Sequence, residues 1–119
     1  MDNKEFGKKI EQRTKEFAIQ IIKISVSLPS SSEGRVIKNQ LTKSGTSVGA
    51  NYREANRARS KADFKNKIKI CESEASETVY WLEIIDKLNW IKSEELQLIM
   101  KEASELLAIF TSIGKNLNN

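Results

Sequence analysis

The chain of 119 residues is about one ordinary domain long, and it contains five glycines, one proline, one cysteine and no histidine. The scarcity of turn residues argues against a fold of many short strands, the lone cysteine excludes an intramolecular disulfide, and the lack of histidine excludes His-dependent catalysis. The lone thiol favours a reducing compartment, so we expect a cytoplasmic protein, and without histidine we do not expect an enzyme. The longest apolar stretch is interrupted by Gln20, Lys23 and Ser25, so we do not expect the chain to cross a membrane. The net charge is +4.

Two helices are predicted in the first half of the chain. Apolar residues recur at steps of three and four from about residue 3 to residue 28, which predicts a first helix that Pro29 and the serines after it end. A second helix is predicted from residue 32 or 33 to about residue 58. Gly45 and Gly49 lie one turn apart in this helix, so we expect a neighbouring helix to approach closely there.

Two further helices are predicted in the second half. Ser60 is typical of an N-terminal cap, and the third helix is expected from there to residue 88 or 89. Ser93 is a second cap, and the fourth helix is expected to end near residue 113, with Gly114 as its C-terminal stop. The third helix has the strictest apolar spacing, at alternating steps of four and three: Phe64, Ile68, Cys71, Ala75, Thr78, Leu82 and Ile85.

Four such helices with short connections predict one domain, residues 1–119, folded as an all-α, antiparallel up-down-up-down four-helix bundle. Cys71 lies on the apolar seam of the third helix with no obvious basic neighbour, so we expect a buried structural thiol. The apolar stripes of the first and fourth helices are wider than one core needs. This surplus favours self-association.

Several polar side chains lie next to the predicted apolar seams. Arg13, Asn51, Glu54 and Glu74 are expected to join in a buried polar network that fixes the register of the helices. The alternative is that acidic residues of the third helix hold a hard metal ion, but the structural network is favoured. We therefore expect no metal and no other cofactor.

Charge is distributed unevenly along the chain. Residues 1–34 and 70–119 carry net charges of +1 and −5, whereas residues 35–69 carry +8. Lys and Arg side chains that neutralise phosphates release condensed counterions, so such a stretch is typical of a surface that binds RNA or DNA. The simpler alternative is a solvated helix surface. The candidate nucleic-acid-binding residues are Arg53, Arg57, Arg59, Lys61, Lys65 and Lys69.

Residues 40–55, with the sequence QLTKSGTSVGANYREA, resemble the four-helix-bundle proteins encoded within intervening sequences of bacterial 23S ribosomal RNA genes. The similarity continues through residues 62–64, 67–70 and 74–82 and covers about residues 10–112. The spacing of these segments is more specific than a generic helical pattern. The resemblance implies an antiparallel four-helix subunit that assembles into a ring-like homopentamer and has no known enzymatic activity.

The chain is also similar to the accessory proteins of diversity-generating retroelements. Their pentameric barrels are basic and work with a reverse transcriptase and nucleic acid, which implies a connection with nucleic acid. Many members of the 23S intervening-sequence family carry proline where this chain has Gly49, so the local bend of the second helix is expected to differ.

Two hypotheses about function follow. The first is an oligomeric, non-enzymatic module that binds RNA or DNA through the basic residues of helices 2 and 3, mostly at phosphates and without strong sequence preference. The second is a structural adaptor that binds a protein partner through its basic or apolar surface and does not contact nucleic acid.

Overall fold

The computed structural model describes residues 3–91 and 94–117, and this part of the chain is helical without strands. The four helices are α1 (Asn3–Val26), α2 (Ser32–Ala55), α3 (Lys61–Lys87) and α4 (Glu94–Leu117). Each helix packs against the next along the chain, and α1 and α4 have much less contact with each other. The prediction of an all-α four-helix bundle is confirmed.

Hydrogen bonds at the chain reversals explain where the helices begin and end. The amide of Leu28 bonds to the carbonyl of Ser25, so the chain leaves α1 two residues before the predicted end. The amide of Ala58 bonds in the same way to the carbonyl of Ala55, where α2 ends. These bonds to the third residue before, in place of the fourth, tighten the last turn and stop the helix.

Two N-terminal caps and one C-terminal stop were predicted for α3 and α4. The side chain of Ser60 accepts a hydrogen bond from the amide of Asp63 at 3.0 Å, which confirms the predicted cap. Ser93, the other predicted cap, lies outside the described residues. Gly114 as a stop was wrong: α4 continues to Leu117, because no described glycine adopts the positive φ that a glycine stop requires.

The core follows the predicted apolar seams, and it also contains buried hydroxyl groups. On α3, the six seam positions from Ile68 to Ile85 are buried. Thr78 donates to the carbonyl of Glu74 at 2.7 Å and lies 3.0 Å from the hydroxyl of Ser44 on α2. A buried hydroxyl that bonds within its own helix does not leave a polar atom unsatisfied, so these residues fit an apolar core.

Cys71 is fully buried, and its Sγ lies 3.6 Å from the carbonyl oxygen of Val48 on α2. Burial raises the pKa of its thiol to about 12. The prediction of a buried structural thiol is confirmed.

Small residues bring α1 and α2 close together. A Cβ atom added at Gly45 would lie 2.7 Å from Cγ2 of Ile21, and one added at Gly49 would lie 3.0 Å from Oγ1 of Thr14. Real Cβ atoms do not make contacts as short as the first, so a larger residue at Gly45 requires the Ile21 side chain or the whole of α1 to shift. The predicted close approach is confirmed, and its partner helix is α1.

Candidate nucleic-acid interface

An open groove of about 540 Å³ lies between α1 and α2 on the outside of the bundle. Because the two helices run in opposite directions, the first half of α1 faces the second half of α2 across it. The α1–α2 groove is lined by Lys8, Glu11, Gln12, Thr14, Lys15, Ala18, Thr46, Gly49, Ala50, Arg53 and Arg57.

The depth of the α1–α2 groove follows from the sizes of its residues. Gly49, Ala50 and Ala18 contribute little side-chain volume, so the surface dips between the two helices. The contact between Gly49 and Thr14 closes the trough towards the core. The long side chains of Lys8 and Lys15 on α1, of Arg53 on α2 and of Arg57 just after α2 form the walls of the groove. The small residues that pack α2 against α1 therefore also form the groove.

The electrostatics of the α1–α2 groove are strongly positive. Two lysines of α1, Lys8 and Lys15, and two arginines, Arg53 and Arg57, line it with a single carboxylate, that of Glu11. All four cationic residues are solvent-exposed. Several like charges around one concave surface attract an anion more strongly than the same charges spread over a convex surface.

A hydrogen bond between α1 and the end of α2 positions this region. Oε2 of Glu11 accepts from Nδ2 of Asn56 at 2.8 Å, and Asn56 caps α2 through its backbone amide, which bonds to the carbonyl of Tyr52. Arg57 is the next residue. The side-chain bond therefore ties the backbone that carries Arg57 to the first half of α1.

The structure divides the predicted basic residues between two surfaces. Arg53 and Arg57 line the α1–α2 groove, and Arg59 and Lys61 are exposed where the chain passes from α2 to α3. We call Arg53, Arg57, Arg59 and Lys61 the α2–α3 corner.

The other two predicted residues, Lys65 and Lys69, lie on a different side. Glu72 of α3 accepts a hydrogen bond from Thr111 of α4 at 2.6 Å, which marks the side of α3 that faces α4. Lys65 lies two turns before Glu72, and Lys69 lies about one turn before it. Both lysines therefore share the side of α3 that faces α4. Lys65 is half-buried and Lys69 is exposed.

Lys8 and Lys15 were not among the predicted binding residues. They lie seven residues apart on one face of α1, but the sequence places them in a segment of nearly balanced charge. Their importance appears only when α1 is placed beside Arg53 and Arg57. The signal available in the sequence was the antiparallel packing of neighbouring helices, which puts the start of helix 1 next to the end of helix 2.

The residues predicted to form a buried polar network lie apart. Arg13 pairs with α4: its Nε and Nη2 donate to the two oxygens of Glu102, both at 2.7 Å, and Nη2 also donates to Glu105 at 2.9 Å. Hydrogen bonding to Glu102 raises the pKa of Arg13. These bonds join α1 and α4, which have the least contact of the four helix pairs that touch each other.

Within the described residues, the other three members of that expected network do not bond to Arg13. Asn51 donates to the carbonyl of Ser47 in its own helix at 2.8 Å, and Glu54 is exposed. Glu74 accepts at its backbone carbonyl from Thr78. The bonds of Arg13 therefore run to α4 and not to these three residues, so the four side chains do not form one network in the structure.

The described residues contain neither a cluster of metal-ligating side chains nor a helix that could span a membrane. Within residues 3–91 and 94–117, no three Cys, Asp or Glu side chains converge as a metal site would require. Among the same residues, no helix is both long and apolar enough to span a bilayer.

A solved structure and a family profile match the chain. The structure is that of a protein of unknown function from the S23 ribosomal protein family of Bacteroides thetaiotaomicron. It is 38% identical, with a TM-score of 0.81, and the match covers 89% of this chain and 98% of that one. No curated protein matches the chain significantly. The profile of the 23S rRNA-intervening sequence proteins matches residues 8–112, and the chain therefore belongs to that family.

Proposed function

We propose that this protein is a non-enzymatic, self-associating helical module that binds nucleic acid through its basic surface. The observation that carries the proposal is the α2–α3 corner. Its four cationic residues lie within nine consecutive positions, and all four are exposed. Glu54 is the one carboxylate within these nine positions, so the corner keeps a net positive charge that attracts a polyanion.

The corner is suited to phosphates and not to base edges. Arg side chains can donate two hydrogen bonds to one phosphate, and Lys supplies a mobile point charge. Arg57 and Arg59 lie between two helices and not along one helix, so they do not form the row of side chains that a helix inserts into the major groove. Binding through the corner should therefore depend weakly on sequence and strongly on salt.

A salt series tests this proposal. Purified, nuclease-treated protein is titrated into labelled duplex RNA and duplex DNA at increasing KCl concentration, and the affinity is compared for two triple variants. Arg57→Ala/Arg59→Ala/Lys61→Ala removes three charges from the corner, and Lys87→Ala/Lys101→Ala/Lys115→Ala removes three from the acidic half of the chain. We expect the first to abolish most binding and the second to preserve it. Absent or salt-insensitive binding by the wild type would overturn the proposal.

Self-association is the second part of the proposal, and the surface of α1 supports it. Ile19, Ile22 and Val26 lie on one face of this helix and are 45%, 45% and 74% exposed. Ile22 and Val26 also line a second groove, of about 450 Å³, together with Lys38 and Lys43 of α2. Clustered exposed apolar side chains on a small domain are typical of a surface that another protein covers.

Light scattering tests the oligomeric state. We propose a homopentamer, with a mass five times the 13.5 kDa of one chain. Ile22→Glu/Val26→Glu should dissociate it, whereas Ile70→Glu/Tyr80→Glu, which changes two exposed residues of α3, should not. A well-folded oligomer that binds no nucleic acid would favour the alternative function, a structural adaptor for a protein partner.

A further inference from the structure

We infer that the α1–α2 groove holds the sugar–phosphate backbone of one strand of a double-stranded nucleic acid, with Lys8 and Lys15 as additional phosphate contacts beside Arg53 and Arg57. This inference rests on the proposed function. It adds the form of the ligand, the surface on which it lies and two residues of α1.

Positive charge lies on both sides of the α1–α2 groove. Cations come from both helices, so a chain of phosphates lying in the groove meets positive charge on either side. Lys8 and Lys15 are seven residues apart, or about 10 Å along α1. Because a strand winds around the duplex axis, its consecutive phosphates are farther apart than the axial rise of about 3.4 Å per nucleotide, so this distance accommodates about two of them. The groove is thus long enough for consecutive phosphates of one strand.

The side chains that line the α1–α2 groove indicate the form of the ligand. None of its eleven described lining residues is aromatic. Phe6, the exposed ring nearest to Lys8 in the sequence, lies about 200° around α1 from it, away from the groove. Proteins that bind single strands combine a basic groove with aromatic rings on which bases stack. A groove that offers only cations, hydroxyls and small side chains favours a duplex, whose bases are already paired and whose phosphates are densest.

Glu11 is the carboxylate among the cations of the α1–α2 groove. It lies between Lys8 and Lys15 in the sequence, and Asn56 holds it by a hydrogen bond. A phosphate placed beside Glu11 is repelled, whereas phosphates near the two lysines are attracted. The backbone therefore contacts the ends of the groove and passes over its centre. Glu11 limits affinity while it fixes Asn56 and, through it, the position of Arg57.

Matched charge variants test the role of the groove. Lys8→Gln/Lys15→Gln should weaken duplex binding by about tenfold or more and lower the salt slope by about two. The control Lys9→Gln/Lys23→Gln removes the same charge from exposed positions of α1 outside the groove and should change affinity little. Glu11→Gln keeps an acceptor for Asn56 and should tighten binding severalfold. Equal effects of the two lysine pairs would overturn the inference.

A neutral variant and a change of ligand complete the test. Ala50→Met fills the trough without altering charge and should weaken binding, whereas Ala108→Met, at an exposed position of α4, should not. A duplex should bind more tightly than either of its strands alone, and preference for a single strand would refute the assignment. If corner variants abolish binding while Ala50→Met and the Lys8 and Lys15 pair do not, the proposed function stands and the groove is excluded. If the wild type binds no nucleic acid, both proposals fail.

Discussion

The bundle has one closely packed side and one open side, and they are held together differently. On the closely packed side, α2 contacts α1 through Gly45 and Gly49, and contacts α3 through the hydroxyls of Ser44 and Thr78. On the open side, α1 and α4 have little contact, and the long side chain of Arg13 reaches across to α4. Short side chains hold helices at a small distance, whereas a flexible ion pair tolerates a larger one.

This difference indicates which changes the fold tolerates. Where backbones lie close together, an added methyl group has no space, and the strain of overpacking lowers the free energy of unfolding. Where a partly exposed ion pair spans a wider gap, water can replace the lost partner and the cost is smaller. Four predictions test this comparison, in order of decreasing effect.

Gly45→Ala should give the largest effect. Alanine favours a helix over glycine by up to about 1 kcal/mol, but the new Cβ would lie 2.7 Å from Cγ2 of the fully buried Ile21. We expect a net loss of about 1–3 kcal/mol in the free energy of unfolding, measured by urea denaturation. The double variant with Ile21→Ala should cost less than the sum of the two single changes, since the second change removes the two Ile21 atoms that lie nearest to the new Cβ. A more stable Gly45→Ala protein would show that α1 and α2 are not in close contact.

Alkaline pH should destabilise the closely packed side through Cys71. In the unfolded chain the thiol ionises near its ordinary pKa of 9.0, whereas burial raises its pKa in the folded protein to about 12. Between these values the unfolded state binds fewer protons, so stability falls as pH rises above 9, by at most about 1.4 kcal/mol per pH unit. Burial also raises the pKa of Tyr52, which acts in the same direction. Cys71→Ala should therefore reduce the slope without removing it, and an unchanged slope would show that Cys71 is accessible to water.

Arg13→Gln tests the open side. The Arg13 and Glu102 side chains are 29% and 27% exposed, so we expect a loss of about 1 kcal/mol, below that of Gly45→Ala. Glu105 is 48% exposed and accepts one bond from Arg13, so Glu105→Gln should change stability by less than about 0.5 kcal/mol. Both effects should shrink in 1 M salt. A loss larger than that of Gly45→Ala would reverse the comparison.

Most of the fold could be predicted because helices and seams are local patterns. The heptad spacing of α3 identified its buried residues, and Ser60 identified its start. The partner of Arg13 could not be predicted in this way. Its choice between carboxylates of α3 and α4 depends on which helices meet where the bundle closes, and periodicity does not contain that information.

The same limit applied to the candidate site. Arg53 and Arg57 could be predicted as binding residues because basic residues are frequent in that part of the sequence. Lys8 and Lys15 lie beside them only because α1 packs on α2. Lys65 and Lys69 continue the four-residue spacing of the basic stretch, but the chain reverses before α3, and this turns them towards α4. A spacing rule holds within one helix and fails across a reversal.

Gly114→Ala gives the smallest expected effect, and its sign is opposite to that of Gly45→Ala. Gly114 lies within α4 and does not have a positive φ, and a Cβ added there would meet no atom within 4 Å. The substitution therefore acts only through the intrinsic preference of alanine for a helix, and this preference counts for less near a helix end. We expect the free energy of unfolding to rise by about 0.5 kcal/mol. The pair of alanine variants, measured in the same denaturation experiment, separates packing from helix propensity. If both variants lost stability, Gly114 would contact another surface, and the same measurement at several protein concentrations would show whether that surface belongs to a second copy of the chain.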